Sequence, residues 1–121
     1  MQMKPGLYVG TLLDDKWWKP YFKDGLLFSG NIDYWFDDEG IYFKLYIKSK
    51  SIFIPFSSIL VIKKCKFHGI NYINGYDIIK LVWNNNGKIL STGLVFSKYS
   101  EESAMVLNKI KHEVEKIKTP T

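Results

Sequence analysis

The chain has 121 residues, 46% of them hydrophobic and 17% aromatic, with a formal net charge of +5. That length suits one domain with one hydrophobic core, while no apolar run reaches the roughly 20 residues of a membrane-spanning helix and the opening MQMKPGLYVG has no charged-then-apolar leader pattern. All seventeen basic residues are lysine, so the bidentate arginine fork that reads guanine is missing, and the lone Cys65 has no partner for an internal disulfide.

In chain order, Leu7, Tyr8, Val9, Leu12 and Leu13 around Gly6 and Gly10 are compatible with a short strand or a helical turn, and the pattern does not choose. Asp14 and Asp15 precede KWWKPYFK, Lys16 to Lys23, where lysines alternate with aromatic rings on both sides of Pro20. LLFSGNIDYWF, residues 26–36, predicts a strand in which Gly30 marks a bulge or a close backbone approach. Asp37 to Gly40 make a turn. From Ile41 to Lys48 the alternation is clean: Ile41, Phe43, Leu45 and Ile47 share one face, and Tyr42, Lys44, Tyr46 and Lys48 share the other.

SIFIPFSSILVI, Ser51 to Ile62, predicts a buried strand, a corner and a second strand. Ile52, Ile54 and Phe56 alternate inward, Pro55 has no N–H for a central ladder, and Ser57 and Ser58 stabilise a single turn before Ile59 to Ile62. Tyr76 to Trp83 and Ile89 to Phe96 flank the polar turn Asn84 to Gly87 and should pair as a hairpin. The period then changes: after Ser100, with Glu101 and Glu102 in the first turn, Val106, Leu107, Ile110, Val114 and Ile117 fall on one helical stripe. The expected organisation is a single domain over 1–121, with an N-terminal extension to residue 24, strands over 25–98 and a helix over 100–118.

IPFSSI, Ile54 to Ile59, resembles the strand-end motif of pleckstrin-homology-like domains, in particular the bacterial PH and GRAM-like groups. There, a Gly-aromatic strand, matched here by Gly40, Ile41, Tyr42 and Phe43, leads to an isoleucine-proline pair and a following turn isoleucine. The strand ending in Phe96, with the helix from Ser100, is similar too, so the likeness covers about Leu26 to Ile117. It implies a mostly β fold, a curved antiparallel barrel of about seven strands capped by the C-terminal helix. Members bind phosphoinositide headgroups, peptides or proteins and are rarely catalytic. Lipid-binding members carry a basic loop between their first strands; the turn taken to correspond here, Asp37 to Gly40, is acidic, so no lipid-site residue carries over.

Catalytic and metal readings find little support in the spacing. Cys65 and His68 are three apart, but two ligands do not make a zinc site and His112 lies on the helix, so a packed cysteine and a surface histidine are expected. Asp37, Asp38 and Glu39 lack the spacing of a calcium loop and read as a solvated turn. No catalytic, cofactor-binding or metal-ligating residue is therefore expected. Candidate contact residues are of two kinds. Lys16, Trp17, Trp18 and Lys19 have the composition of a membrane interface, although indoles packed across the barrel are the reading preferred. Lys44, Lys48, Lys50, Lys63, Lys64 and Lys66 would make one positive surface if the outer faces of adjacent strands carried them; a solvated face that protects sheet edges is the plainer account. The function expected is a non-enzymatic cytoplasmic module that presents a surface to a protein partner, through the groove between the helix and an edge strand. The alternative is peripheral binding to anionic lipids at the inner membrane face; no cofactor and no sequence-specific nucleic acid is expected.

Overall fold

The first strand, Lys4–Leu13 (β1), answers the choice that the sequence leaves open. It pairs antiparallel on both sides, with Gly30–Phe36 (β2) and with Lys88–Val95 (β9). The reading of residues 1–24 as an extension is corrected accordingly: β1 is the middle strand of the sheet. Its glycines, which dilute the apolar pattern, are the physical reason it fits there. A Cβ on Gly6 would lie 2.6 Å from the Val95 carbonyl oxygen, and Gly10 takes φ 127 where the register against β9 shifts past Val9. The computed structural model describes residues 3–16, 18–23, 26, 29–46, 51–68, 71–72 and 76–118, with the backbone alone at 67, 71 and 72.

The other strands are Gly40–Leu45 (β3), Ser51–Pro55 (β4), Ile59–Cys65 (β5), Phe67–His68 (β6), Asn71–Tyr72 (β7) and Ile78–Asn85 (β8). Seven of them form one antiparallel sheet in the order β4-β3-β2-β1-β9-β8-β5, and β6 with β7 makes a small separate ladder. The fold is thus mostly β, with one C-terminal helix, Ser100–Lys118 (α1). The two edge strands, β4 and β5, are consecutive in the chain and joined only by the 3-10 turn Phe56–Ser58.

Local chemistry explains these elements. The β8–β9 hairpin closes through Asn86 and Gly87, both at positive φ, with the Gly87 N–H donating to Asn84 Oδ1 at 2.8 Å. On β3, Ile41, Phe43 and Leu45 are buried while Tyr42 and Lys44 are half-buried, as the alternation requires. β2 begins at Gly30 without a bulge there; the irregularities fall at Val9 in β1 and Leu60 in β5. At the corner, the Phe56 N–H donates to the Glu39 carbonyl at 2.9 Å. By antiparallel alternation, Ile54 and Ile52 then bond towards β3 and Phe53 and Pro55 turn their backbone groups to the open edge, where proline has no N–H to leave unpaired. Ser58 Oγ donates to the Pro55 carbonyl at 2.7 Å and finishes the turn.

The main core lies on one face of the sheet and takes in Leu107, Ile110 and Val114 from α1, which packs on the 3-10 turn and β5. A buried polar chain crosses it: Trp83 Nε1 donates to Thr92 Oγ1 at 2.9 Å, Thr92 meets Thr11 at 3.0 Å, and Thr11 meets the Tyr8 hydroxyl at 2.6 Å. Every polar atom in that chain has a partner, which is the condition for polar groups inside a core. The helical stripe sits one turn earlier than expected. Ser103, Leu107, Ile110 and Val114 are buried, whereas Ile117 is 46% exposed.

Candidate functional site

Among the described residues β5 pairs with β8 alone, which leaves its second edge open beside α1. Between strand and helix lies a cavity of about 390 Å³, lined by Ile59, Leu60 and Ile62 on one side and Lys111, Val114, Glu115 and Lys118 on the other. Ile59 and Val114 are buried and floor it; Leu60, in its lining, is 49% exposed, and Val61, the next residue along the strand, is 40% exposed. Apolar side chains of this size on an edge strand are unusual, because edges are normally blunted by charge, proline or bulges. β4 has Pro55 for that purpose, and β5 has a bulge at Leu60 with Lys63 and Lys64 beyond it.

The lysines expected to share one face are separated by strand parity. Lys63 stands opposite Lys80 on the outer face, and Lys64 stands opposite Ile79, whose side chain belongs to the core face. Lys44 lies far along the sheet order on β3, opposite Asp33 and Ser51. Lys66 is 3.6 Å from Asp77. A single positive surface built of Lys44, Lys63, Lys64 and Lys66 is therefore replaced by a short basic segment at the end of β5. Lys48 and Lys50 lie outside the described residues.

KWWKPYFK occupies the connection from β1 to β2, not an extension ahead of the sheet. Asp14 and Asp15, both at positive φ, turn the chain back, and the Leu13 and Tyr21 amides donate to the carbonyls of Lys19 and Thr11. Tyr21 is thereby buried, while Trp18 is 57% exposed with the Lys16 ammonium 5.7 Å from its ring centre. Trp18 does not pack inside the sheet; Trp17 falls outside the described residues. The correspondence drawn between Asp37–Gly40 and a loop joining the first two strands is also corrected, since that turn joins β2 to β3. The connection between β1 and β2 is the basic, aromatic one, carrying Lys16, Lys19 and Lys23. Sequence reasoning missed this because β1 itself was not recognised as a strand.

Two further clusters have structural explanations. On the outer face His68 is buried, not a surface residue: its Nε2 donates to the Ser91 carbonyl at 3.0 Å, and its ring lies flat on Gly93, where a Cβ would stand 2.8 Å from Cγ. Nearby, Lys80 Nζ is 2.9 Å from Asp15 Oδ1. Burial acts to raise the Asp15 pKa, but Lys80 and the Ser91 hydroxyl outweigh it and hold the carboxyl below the ordinary range. His68 Nε2 is committed to a backbone carbonyl. The rings of Trp35, Tyr42 and Phe53 stack across β2, β3 and β4, with centres 5.5 and 4.6 Å apart. Their faces are used on one another. The hydrogen bond from Tyr42 to Asp37, 2.7 Å long, pushes the phenol up to about 12; with the amides of Glu39 and Gly40 it also keeps Asp37 low, so this carboxylate anchors its turn.

Among the described residues no three His, Cys, Asp or Glu side chains gather as metal ligands, and no helix is long and apolar enough to cross a membrane. Compared with protein-family models and with curated proteins, the chain gives no match.

Proposed function

We propose that the protein is a non-catalytic binding module of pleckstrin-homology-like type that receives an extended segment of a protein partner along β5, in the groove against α1. The carrying observation is the conjunction of a strand edge unpaired among the described residues, exposed Leu60 and Val61 along it, and an apolar-floored cavity closed on its far side by a helix. Strand addition at such an edge draws affinity from main-chain hydrogen bonds and specificity from side-chain pockets. Support for the barrel form comes from the strand order, in which the first and last strands of the sheet adjoin in sequence at the Ile54-Pro55 corner, and from α1 lying over that corner.

The alternative, attachment to anionic lipid, draws support from exposed Trp18 and Phe22 among Lys16, Lys19 and Lys23 on the β1–β2 connection. One comparison separates the two. Affinity capture with the wild type and Leu60→Asp should retain a partner on the wild type only, with thermal unfolding of the two proteins alike, and neither should sediment with anionic vesicles. Capture indifferent to Leu60→Asp would remove the groove from consideration, and sedimentation with vesicles that high salt abolishes would favour the lipid reading.

A further inference from the structure

We infer that the segment received by β5 runs antiparallel to it and carries two consecutive acidic residues followed by two apolar ones; the inference rests on the groove reading above and specifies its occupant. β5 is divided along its length. Leu60, Val61 and Ile62 make an apolar half, and Lys63 and Lys64, both exposed, make a basic half. Their cross-strand neighbours assign faces: Val61 and Lys63 stand beside Val82 and Lys80 on the outer face, while Ile62 and Lys64 stand beside Leu81 and Ile79 on the core face.

A strand laid on the open edge meets these residues one for one, with its own side chains alternating between the same two faces. All pairings in the sheet are antiparallel, the arrangement that is slightly more stable per residue. Read from its N-terminus, the incoming strand therefore passes Lys64, Lys63, Ile62 and Val61 in turn. It needs an acid on the core face, an acid on the outer face, an apolar side chain aimed past Ile62 into the cavity above Val114, and an apolar one beside Val61. Leu60, the extra residue of the bulge, ends the register. Charge on the helical side agrees, since Lys111 and Lys118 outnumber Glu115 at the cavity. The Asp15 carboxylate is already engaged by Lys80, the cross-strand neighbour of Lys63, so the acid that Lys63 meets must come from the incoming strand.

The test is a titration of the isotopically labelled full chain, followed by amide resonances, with three short peptides between Gly-Ser flanks: Asp-Asp-Leu-Val, the reversed Val-Leu-Asp-Asp, and Asn-Asn-Leu-Val. The first should shift amides of β5 and of Lys111 to Lys118 and bind about tenfold more tightly than the others; Lys63→Glu with Lys64→Glu should erase that advantage. Equal binding of the first two peptides at β5 would overturn the order of residues and leave the groove reading standing. No response in β5 or α1 to any peptide would overturn both. Displacement of the first peptide by phosphatidylglycerol vesicles, with the Asn peptide equally displaced, would assign the lysines to lipid and overturn the inference.

Discussion

His68 is the residue whose surroundings constrain its chemistry most. It is 2% exposed, its Nε2 proton goes to the Ser91 carbonyl, and its Nδ1 is buried without a hydrogen-bond partner among the described residues. A second proton would enter on Nδ1. Burial is the main reason the pKa lies below its ordinary 6.5, and Lys80 lowers it further, against the opposing pull of the Ser91 and Gly10 backbone groups and Asp15. Unfolding restores ordinary proton affinity, so the unfolded chain binds more protons in the interval below pH 6.5 and the folded state loses stability as the pH falls through it. Urea unfolding at pH 7 and pH 5 should show that loss, and His68→Gln, which keeps a donor for Ser91, should reduce it. Equal pH dependence in the two proteins would contradict the assignment. Nothing near His68 in sequence announces this burial, because its seat is Gly93 on a distant strand.

At the level of elements, the corner between β4 and β5 is held by a glycine on a neighbouring strand. A Cβ on Gly40 would press on the Ile54 carbonyl and stand 2.6 Å from the Phe53 ring and 2.9 Å from Pro55 Cα. The Phe53 ring can swing aside, but the Ile54 carbonyl and Pro55 Cα are β4 backbone and cannot give way without moving the turn that follows. Gly40→Ala is therefore expected to cost about 1–3 kcal/mol in urea unfolding, the usual range for overpacking; a change near zero would mean that β4 is not pinned there. This corner was legible in sequence, since proline, paired serines and alternating isoleucines each point to the same geometry. The β8–β9 hairpin was legible for a like reason, through Asn86-Gly87. β1 was not: Gly6 and Gly10 break up its apolar pattern, and their value appears only when β9 lies against them. The faces of the β5 lysines were also hidden, because the extra residue at Leu60 is set by pairing with β8 and leaves no mark in the local pattern.

Across the whole molecule, α1 packs on the turn that joins the two edge strands and on β5. Ile110 is fully buried in the main core with Phe56 and Ile59, the residues that begin and end the turn between the edge strands. Ile110→Ala should cost about 2–5 kcal/mol, as expected for a large aliphatic side chain removed from a core, and should be read by urea unfolding monitored at both helix and tryptophan signals. Coincident transitions would indicate that helix and sheet unfold together; a helix that melts first would show that the sheet holds without it. The seven-residue spacing of Leu107 and Val114 made the buried stripe of α1 readable in sequence, whereas its seat on the 3-10 turn and β5 appears only in the folded chain.

Because the middle strand, β1, pairs with β9, and β2 to β8 all lie between them in the chain, synthesis imposes a delay. Leu7 finds Val95, and Leu13 finds Leu90, only after every strand between them has been synthesised. Until then a nascent chain holds β1 with one flank bare, and closure must wait for a long-range encounter, which places this protein among the slower folders and makes the interval before β9 emerges its most vulnerable to misassociation.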